Sequence, residues 1–472
     1  MKALPELSSL SHDQKDELIR TLFEMVQRLT ARVEELEARL SKDSHNSSKP
    51  PSSDGLSKKT RSLRVASGRK PGGQVGHPGK TLKRASHVDN VIDHPVPQRC
   101  PCGAPLDETR ARIHERRQVF DIPVARYQVT EHHTRQLRCA CGVVHQSAFP
   151  EGVTEVVQYG PNVRALAVHL THGQLLPVAR SAQLISQLFG LNLSQASVLA
   201  WIDEASQRLR PAVEHIAQAL VGVPVAHADE SGLRVAACLH WLHTVASDKL
   251  TWYGVHAKRG MPAIEDHGIL RRRIAVLVHD CWPPYWDLDC VHALCNAHLL
   301  RELTFVHEST GQGWAKRMMG LLQRANQRCE TARQEDKTAL TTRQIRWISQ
   351  RYGEILAQAG ADNPQAARQN KRRGRVKQSV AFNLISRMRQ HAAAVLRFVT
   401  DLRVPFTNNL GERAIRMPKV KQKISGCFRT LKGAQDFCTI RSYLDTMHKQ
   451  GHNLFEALRS AFMGCTLMPA SR

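Results

Sequence analysis

Hydrophobic positions change period several times along the chain, and each change marks a different kind of element. Ile19, Val26, Val33 and Leu40 recur every seven residues, with Leu22, Leu29 and Leu36 between them. This 3,4 stripe, with Arg, Gln and Glu on the other faces, predicts a short coiled-coil helix. Three heptads are marginal alone, so the helix is expected to pair with another copy or a partner. An amphipathic helix docked on its own domain is the alternative reading. The pattern stops at SHNSSKPPSSDG, Ser44 to Gly55, where Ser, Asn and consecutive prolines cannot continue a helix.

Helical periodicity returns from Tyr159 to about Arg210. Ala182, Leu184, Ile185 and Leu188 make one apolar face, Gly190 a turn, and Ser194 an N-cap for a helix carrying Val198 and Ile202. That text reads equally as a structural helical hairpin or a DNA-reading helix-turn-helix. Beyond Pro224 the alternation becomes strand-like, in VPVAHADESGLRV, CLHWLHTVASDKLTWYGV and RRIAVLVHDCW. A helical, charged stretch follows from about Gly311 to Leu396.

Charge changes the picture most. The 472 residues carry 67 Lys plus Arg against 42 Asp plus Glu, a net charge of +25, which points to a polyanionic partner. Ten basic residues, one acid and six glycines lie between Lys49 and Arg84, as in an arm lying along phosphates. No apolar run approaches the roughly 18 residues of a membrane span, and MKALPELSSLSHDQKDELIR lacks an apolar signal region. These features predict a soluble, cytoplasmic protein. Twelve cysteines are too sparse for a disulfide scaffold. Two matched pairs, Cys100 with Cys102 and Cys139 with Cys141, each precede a glycine and are separated by strand-like text. They predict a structural four-thiolate zinc site on a small β-rich domain, with redox pairing as the alternative.

Three acids are candidates for chemistry. Asp229 and Asp280 are each expected at the end of an apolar strand, where a buried carboxylate needs a reason. Glu412 opens a predicted helix behind Asn408 and Asn409, and from Arg413 to Lys432 seven basic residues follow with no acid. Three carboxylates gathered in space would chelate two divalent ions and support phosphoryl transfer.

The ordered motifs NSSKPPSSDG, GRKPGGQVGHPGKTL, the two CxCG pairs, HADESGLRV, HDCWPPY, CNAHLLREL, NNLGERAIRMPKVKQKISGCFRT and SYLDTMHKQG resemble those of the insertion sequence 66 family of transposases. The resemblance implies a DNA transposase of a bacterial insertion sequence, acting through an Asp-Asp-Glu triad of Asp229, Asp280 and Glu412 that holds two magnesium ions. It implies a multidomain α+β chain whose RNase H-like catalytic domain carries the first two acids on its first and fourth strands and is interrupted by a helical insertion. The organisation expected is a coiled-coil helix (1–43), a basic arm (44–90), a zinc-binding domain (91–155) and a helical DNA-binding region (156–215). The catalytic core follows in two segments, 216–310 and 401–472, the second including the C-terminal helices, with the insertion (311–400) between them. Candidate DNA contacts are Lys58, Lys59, Arg69 and Lys70 in the arm, Lys371, Arg372 and Arg373 in the insertion, and Arg413, Arg416, Lys419, Lys421 and Lys423 behind Glu412. Expected partners are transposon ends and target DNA, a second copy through the coiled coil, and small companion proteins of the same element.

Cys295 and His298 match a Cys-x2-His signature of related transposase groups. Spaced i, i+3, they are expected to pack or hydrogen-bond near the active site rather than build a second zinc site with Cys290 and His292. Gly411 stands where a helix former is common and is expected to loosen the following helix by up to about 1 kcal/mol. The rival readings are a non-catalytic zinc-containing DNA-binding regulator, and a structural zinc protein held to RNA or membrane by charge alone.

Overall fold

The computed structural model describes residues 11–47, 54, 82–122, 127–367 and 376–471. The candidate DNA contacts Lys58, Lys59, Arg69, Lys70, Lys371, Arg372 and Arg373 lie outside the described residues, as does most of the basic arm. The heptad stripe is carried by helix α1, His12–Leu40, and Ile19, Leu22, Val26, Leu29, Val33, Leu36 and Leu40 are all exposed. Past its end, Lys42 lies over the Phe305 ring at 4.8 Å, and Asn46 Nδ2 donates to Glu308 at 3.2 Å.

The β-rich domain expected over 91–155 is sparser than its text suggests. Among its described residues only β1 (Gln136–Arg138) and β2 (Val144–Gln146) pair as strands, antiparallel, with an isolated bridge between Arg99 and Pro105. Val119, Ile122, Tyr127 and Val129 remain exposed. With no second layer to bury them, alternating residues gain little from strand pairing.

Helices α2 (Pro161–Val168), α3 (Val178–Phe189) and α4 (Gln195–Gly222) follow. Gly190 ends α3 with φ +76°, and the Ser194 side chain caps α4 by accepting from Ser197 N–H. Val198, Trp201, Ile202, Ala205 and Leu209 of α4 are buried in one core with Tyr443, Leu444 and Leu458 from the far end of the chain. The helical region of 156–215 therefore shares its core with the C-terminal helices.

The central sheet contains β3 (Val225–Val235), β4 (Cys238–Ala246), β5 (Thr251–His256), β6 (Val276–His279) and β7 (Val291–Leu294), in the order β5-β4-β3-β6-β7. β4 runs antiparallel to β3 and β5, while β6 is parallel to β3 and β7. The sequence predicts that Asp229 closes a strand, but β3 continues through it as far as Val235. Along this stretch Glu230 is held by side chains across the sheet and Gly232 packs on Leu239 and Trp241. The reversal comes instead at Ala236 and Ala237, both with positive φ (47° and 64°), the backbone that a two-residue hairpin requires.

One sheet face, with Ala226, Ala228 and Leu277, packs on α4 and α5 (Met261–His267). Val276 and Val278 on the other face pack on a helical layer of α6 (Asn296–Thr310), α7 (Gly313–Gln334), α8 (Thr342–Asp362), α9 (Val380–Gln390), α10 (Ala392–Val395) and α11 (Arg397–Thr400). Helix α12 (Asn409–Ser425) crosses β3 and β4, α13 (Leu431–Lys449) covers β5, and α14 (Leu454–Phe462) returns to α2. Among the described residues, no helix is long and apolar enough to cross a membrane.

Candidate active site

Register places the first two acids. His227 of β3 is paired with Val278 of β6 in a parallel ladder, so Asp229 and Asp280, each two residues further on, stand at equal height on one face. Neighbouring strands lie about 4.8 Å apart. Asp229 Oδ1 accepts from the Glu230 N–H at 2.9 Å, and Asp280 Oδ1 from the Trp282 N–H at 3.1 Å. Glu412 enters from the first turn of α12, where a carboxylate is also favoured by the helix dipole.

What fastens α12 to the sheet is Asn408. Its Nδ2 donates to the Ala228 carbonyl at 2.8 Å, which leaves its Oδ1 to accept from His227 Nδ1–H, also at 2.8 Å. Both residues are almost fully buried. The neighbours of Asp229 and of Glu412 are thereby tied together across about 180 positions of sequence. Gly411 makes room for this arrangement. A Cβ there would lie 3.0 Å from Asn408 Oδ1 and 3.1 Å from its Nδ2, so the glycine expected to loosen α12 instead lets the Asn408 side chain seat. Lys419 adds a second fastening, donating to the Gly232 carbonyl at 2.8 Å.

Cys295 and His298 come to the same place from α6. Cys295 is the N-cap of that helix, and its buried Sγ accepts from the Asn408 N–H at 3.1 Å and lies 3.8 Å from Glu412 Oε1. His298 Nδ1 is 3.9 Å from the same oxygen. Among the described residues, these three side chains are the one group of three or more ligand-type residues whose donor atoms all lie within 4.8 Å of one another, and Asp229 and Asp280 do not join it. Cys290 and His292 belong elsewhere: His292 Nδ1 meets His279 Nε2 at 3.1 Å, 4.0 Å from Cys290 Sγ.

A fourth acid, Glu230, escapes a reading of the sequence alone. It points to the opposite face of β3, where Arg259 Nη2 donates to its Oε1 at 2.6 Å and the Tyr285 hydroxyl to its Oε2 at 2.6 Å. Arg259 is sandwiched between Trp241 and Trp282, 4.9 and 4.5 Å from the two ring centroids. The doubled acid of HADES and the aromatic loop HDCWPPY are the signals that could have found it.

The electrostatics reflect this crowding. Burial, then the neighbouring Glu230 and Asp280 charges and finally Glu412, hold the Asp229 carboxyl well above the usual carboxylate range. Burial also raises Glu230, against the lowering effect of its Tyr285 and Arg259 bonds. The Cys295 thiol is pushed up to about 12, first by burial and then by Glu412, while the backbone N–H groups of Asn408, His298 and Ala297 favour its ionised form. Burial lowers His298 despite the opposing pull of Glu412.

Of the other predicted residues, Arg413, Arg416 and Lys423 are exposed on α12, whereas Lys419 and Lys421 are partly buried. The two cysteine pairs adopt the same knuckle. Gly103 N–H donates to the Cys100 carbonyl and Cys100 N–H to Ala104; Gly142 and Cys139 repeat this with Cys139 and Val143. Gly103 and Gly142 have φ +90° and +89°, which only glycine adopts at no steric cost. The four thiols are not drawn into one metal-sized cluster.

Comparison with known families gives two matches. The model of the Transposase IS66 family matches residues 156–436, and a family of unknown function (DUF6444) matches residues 2–83. No curated protein matches the chain.

Proposed function

Because the chain belongs to the IS66 family of transposases, we propose that it cuts and joins DNA with Asp229, Asp280 and Glu412 as its working carboxylates. The observation that supports this reading is that Asp229 and Asp280 each follow the paired His227 and Val278 by two residues, while the helix that Glu412 opens is tied to β3 through Asn408. The sheet order, with β4 alone reversed, supports an RNase H-like reading of the core.

The donor set fits hard cations. Burial first, and then the Glu230 and Asp280 charges, raise Asp229, and divalent ions with oxygen preference would offset both. Magnesium ions held by Asp229, Asp280 and Glu412 would supply Lewis-acid stabilisation of the phosphodiester. The chain's own contribution is positioning. Asn408 and the β3–β6 register fix the carboxylates, and Arg413, Arg416 and Lys423 give α12 an exposed basic surface for the DNA backbone. Water attack breaks the phosphodiester at the element's end and leaves a 3′-OH. That hydroxyl then attacks a target phosphodiester, forming one P–O bond as another breaks, with no covalent protein–DNA link.

The knuckles are read as a structural four-thiolate zinc module that contributes to end recognition, and α1 as the contact between two copies. An exposed seven-residue stripe is what a parallel or antiparallel pair of such helices would bury, and bringing two ends together needs at least a dimer. A DNA-binding regulator without catalysis is the rival. It gives no reason for the three acids.

The test is magnesium-dependent nicking of a duplex carrying the element's end, for the wild type and Asp280→Asn. Nicking should fall at least about a hundredfold, as expected for loss of a group acting in the transition state, with end binding retained. Unaltered nicking with intact binding would overturn the triad.

A further inference from the structure

We propose that Cys295, His298 and Glu412 form a second metal site, selective for a thiophilic ion of the zinc class, and that filling it withdraws Glu412 from the two aspartates. The second half rests on the function proposed above; the first does not.

Geometry leads to the site. A zinc ion bonds thiolate at about 2.3 Å and imidazole or carboxylate at about 2.0–2.2 Å in tetrahedral array, which puts donor atoms roughly 3.3–3.6 Å apart. Glu412 Oε1 lies 3.8 Å from Cys295 Sγ and 3.9 Å from His298 Nδ1, and all three donors lie within 4.8 Å of one another, so small side-chain shifts close the site. The donors come from two rigid elements, the start of α6 and the first turn of α12, whose relative position Asn408 fixes through the Cys295 sulfur itself.

The histidine is prepared for an ion, and the cysteine can be made so. His298 Nδ1 is buried and has no hydrogen-bond partner, a state that costs about 1–3 kcal/mol for an ordinary buried polar atom and that a metal bond would remove. Its imidazole is kept neutral by burial, the form that ligates. The Cys295 sulfur sits at a helix N-terminus with backbone N–H groups from α6 and from Asn408 directed at it. Burial and the Glu412 charge keep the thiol protonated, with its pKa up to about 12. An ion must displace that proton, the usual cost of assembling such a site, and the backbone N–H groups then favour the thiolate it leaves. One sulfur, one nitrogen and one carboxylate oxygen select zinc over magnesium, which takes oxygen and water.

The consequence is competition. Glu412 Oε1 cannot serve a thiophilic ion and the aspartate pair at once in the same geometry, so zinc at this site is an inhibitor of the magnesium reaction.

The experiment uses the full chain loaded with cadmium-113 and read by NMR, which separates a single-thiolate site from a four-thiolate one by chemical shift. Wild type should give a single-thiolate resonance that is lost in both Cys295→Ser and His298→Gln and kept in Asp280→Asn. No such resonance in wild type, or one that survives both ligand variants, would overturn the site. The second arm titrates zinc into the magnesium-dependent nicking reaction. The half-inhibiting zinc concentration should rise roughly tenfold or more in Cys295→Ser, the usual scale for a weakened metal shell. If the resonance behaves as expected but zinc leaves nicking untouched, competition at Glu412 is overturned and the metal site stands. If the wild type does not nick at all, the proposed function fails while the cadmium result still decides the site.

Discussion

Asn408 and His227 share a 2.8 Å hydrogen bond in the interior of the protein, and through it the helix bearing Glu412 is registered on the strand bearing Asp229. With Asn408 Nδ2 given to the Ala228 carbonyl, the bond defines His227 as the Nδ1–H tautomer. Burial lowers the His227 pKa to about 4, so the ring stays neutral at physiological pH and the link does not titrate there.

Removing that link should cost both stability and rate. Asn408→Ala leaves a buried His227 donor and the Ala228 carbonyl unpaired, at about 1–3 kcal/mol each. Displacing Glu412 by even about 1 Å would lower nicking by roughly a hundredfold. Thermal unfolding and single-turnover nicking check the two effects, and loss of stability with full activity would refute the positioning role.

Gly411→Ala separates propensity from packing. Alanine should add about 1 kcal/mol of helix stability, but its methyl meets the Asn408 amide at 3.0–3.1 Å. The expected outcome is a net loss of melting temperature and a nicking defect resembling that of Asn408→Ala. A more stable, fully active variant would show that α12 tolerates the methyl.

Asp229 has a folded pKa raised above its unfolded value. Its contribution to stability is therefore present below about pH 4, its unfolded range, and is lost as pH rises through the folded value. Asp229→Asn should melt at least about 2 °C higher than wild type at pH 7 without divalent ions. The gap should close below about pH 4 and narrow when magnesium is added. Calorimetry across pH, with and without magnesium, reads all three.

Acid should act on the fold in the opposite sense. Burial depresses His172, His267 and His279 to about 3, and His227 and His243 to about 4. The stability these neutral rings contribute is present above about pH 6.5, the unfolded value, and is lost as pH falls from there toward 3–4. Melting temperature should drop steadily over that window. His243→Gln, at a ring whose Nε2 has no partner, should make the drop shallower.

For the knuckles, Cys100→Ser combined with Cys139→Ser should release about one zinc per chain and weaken end binding while the melting of the core is unchanged. Atomic emission on the purified variants measures the metal, and unchanged zinc would refute a four-thiolate module.

Much of this architecture is local and so is legible in sequence. The heptads of α1, the Gly190 stop, the Ser194 cap and the buried strand ending in His279 each follow from a period or a capping residue within a few positions. The features that escape depend on partners far along the chain. Nothing near Glu230 in the sequence shows that Arg259 and Tyr285 hold it, and Gly411 reads as a weak helix former until the Asn408 side chain beneath it is seen. The apolar residues Val119, Ile122, Tyr127 and Val129 mislead in the other direction, because, among the described residues, no layer covers them.

The shared core of α4 and α13 has a temporal side. Synthesis proceeds from the N-terminus at about 5–20 residues per second, and Leu209 of α4 is made more than 230 residues before Tyr443 and Leu444, which it packs with. The apolar flank of α4 thus waits roughly 10–50 s on the ribosome for its covering helix. Throughout that interval β5 also lacks α13, and Glu412 is the last of the three acids to be made. A nascent chain therefore carries this flank uncovered until α13 emerges, just after the helix that bears Glu412.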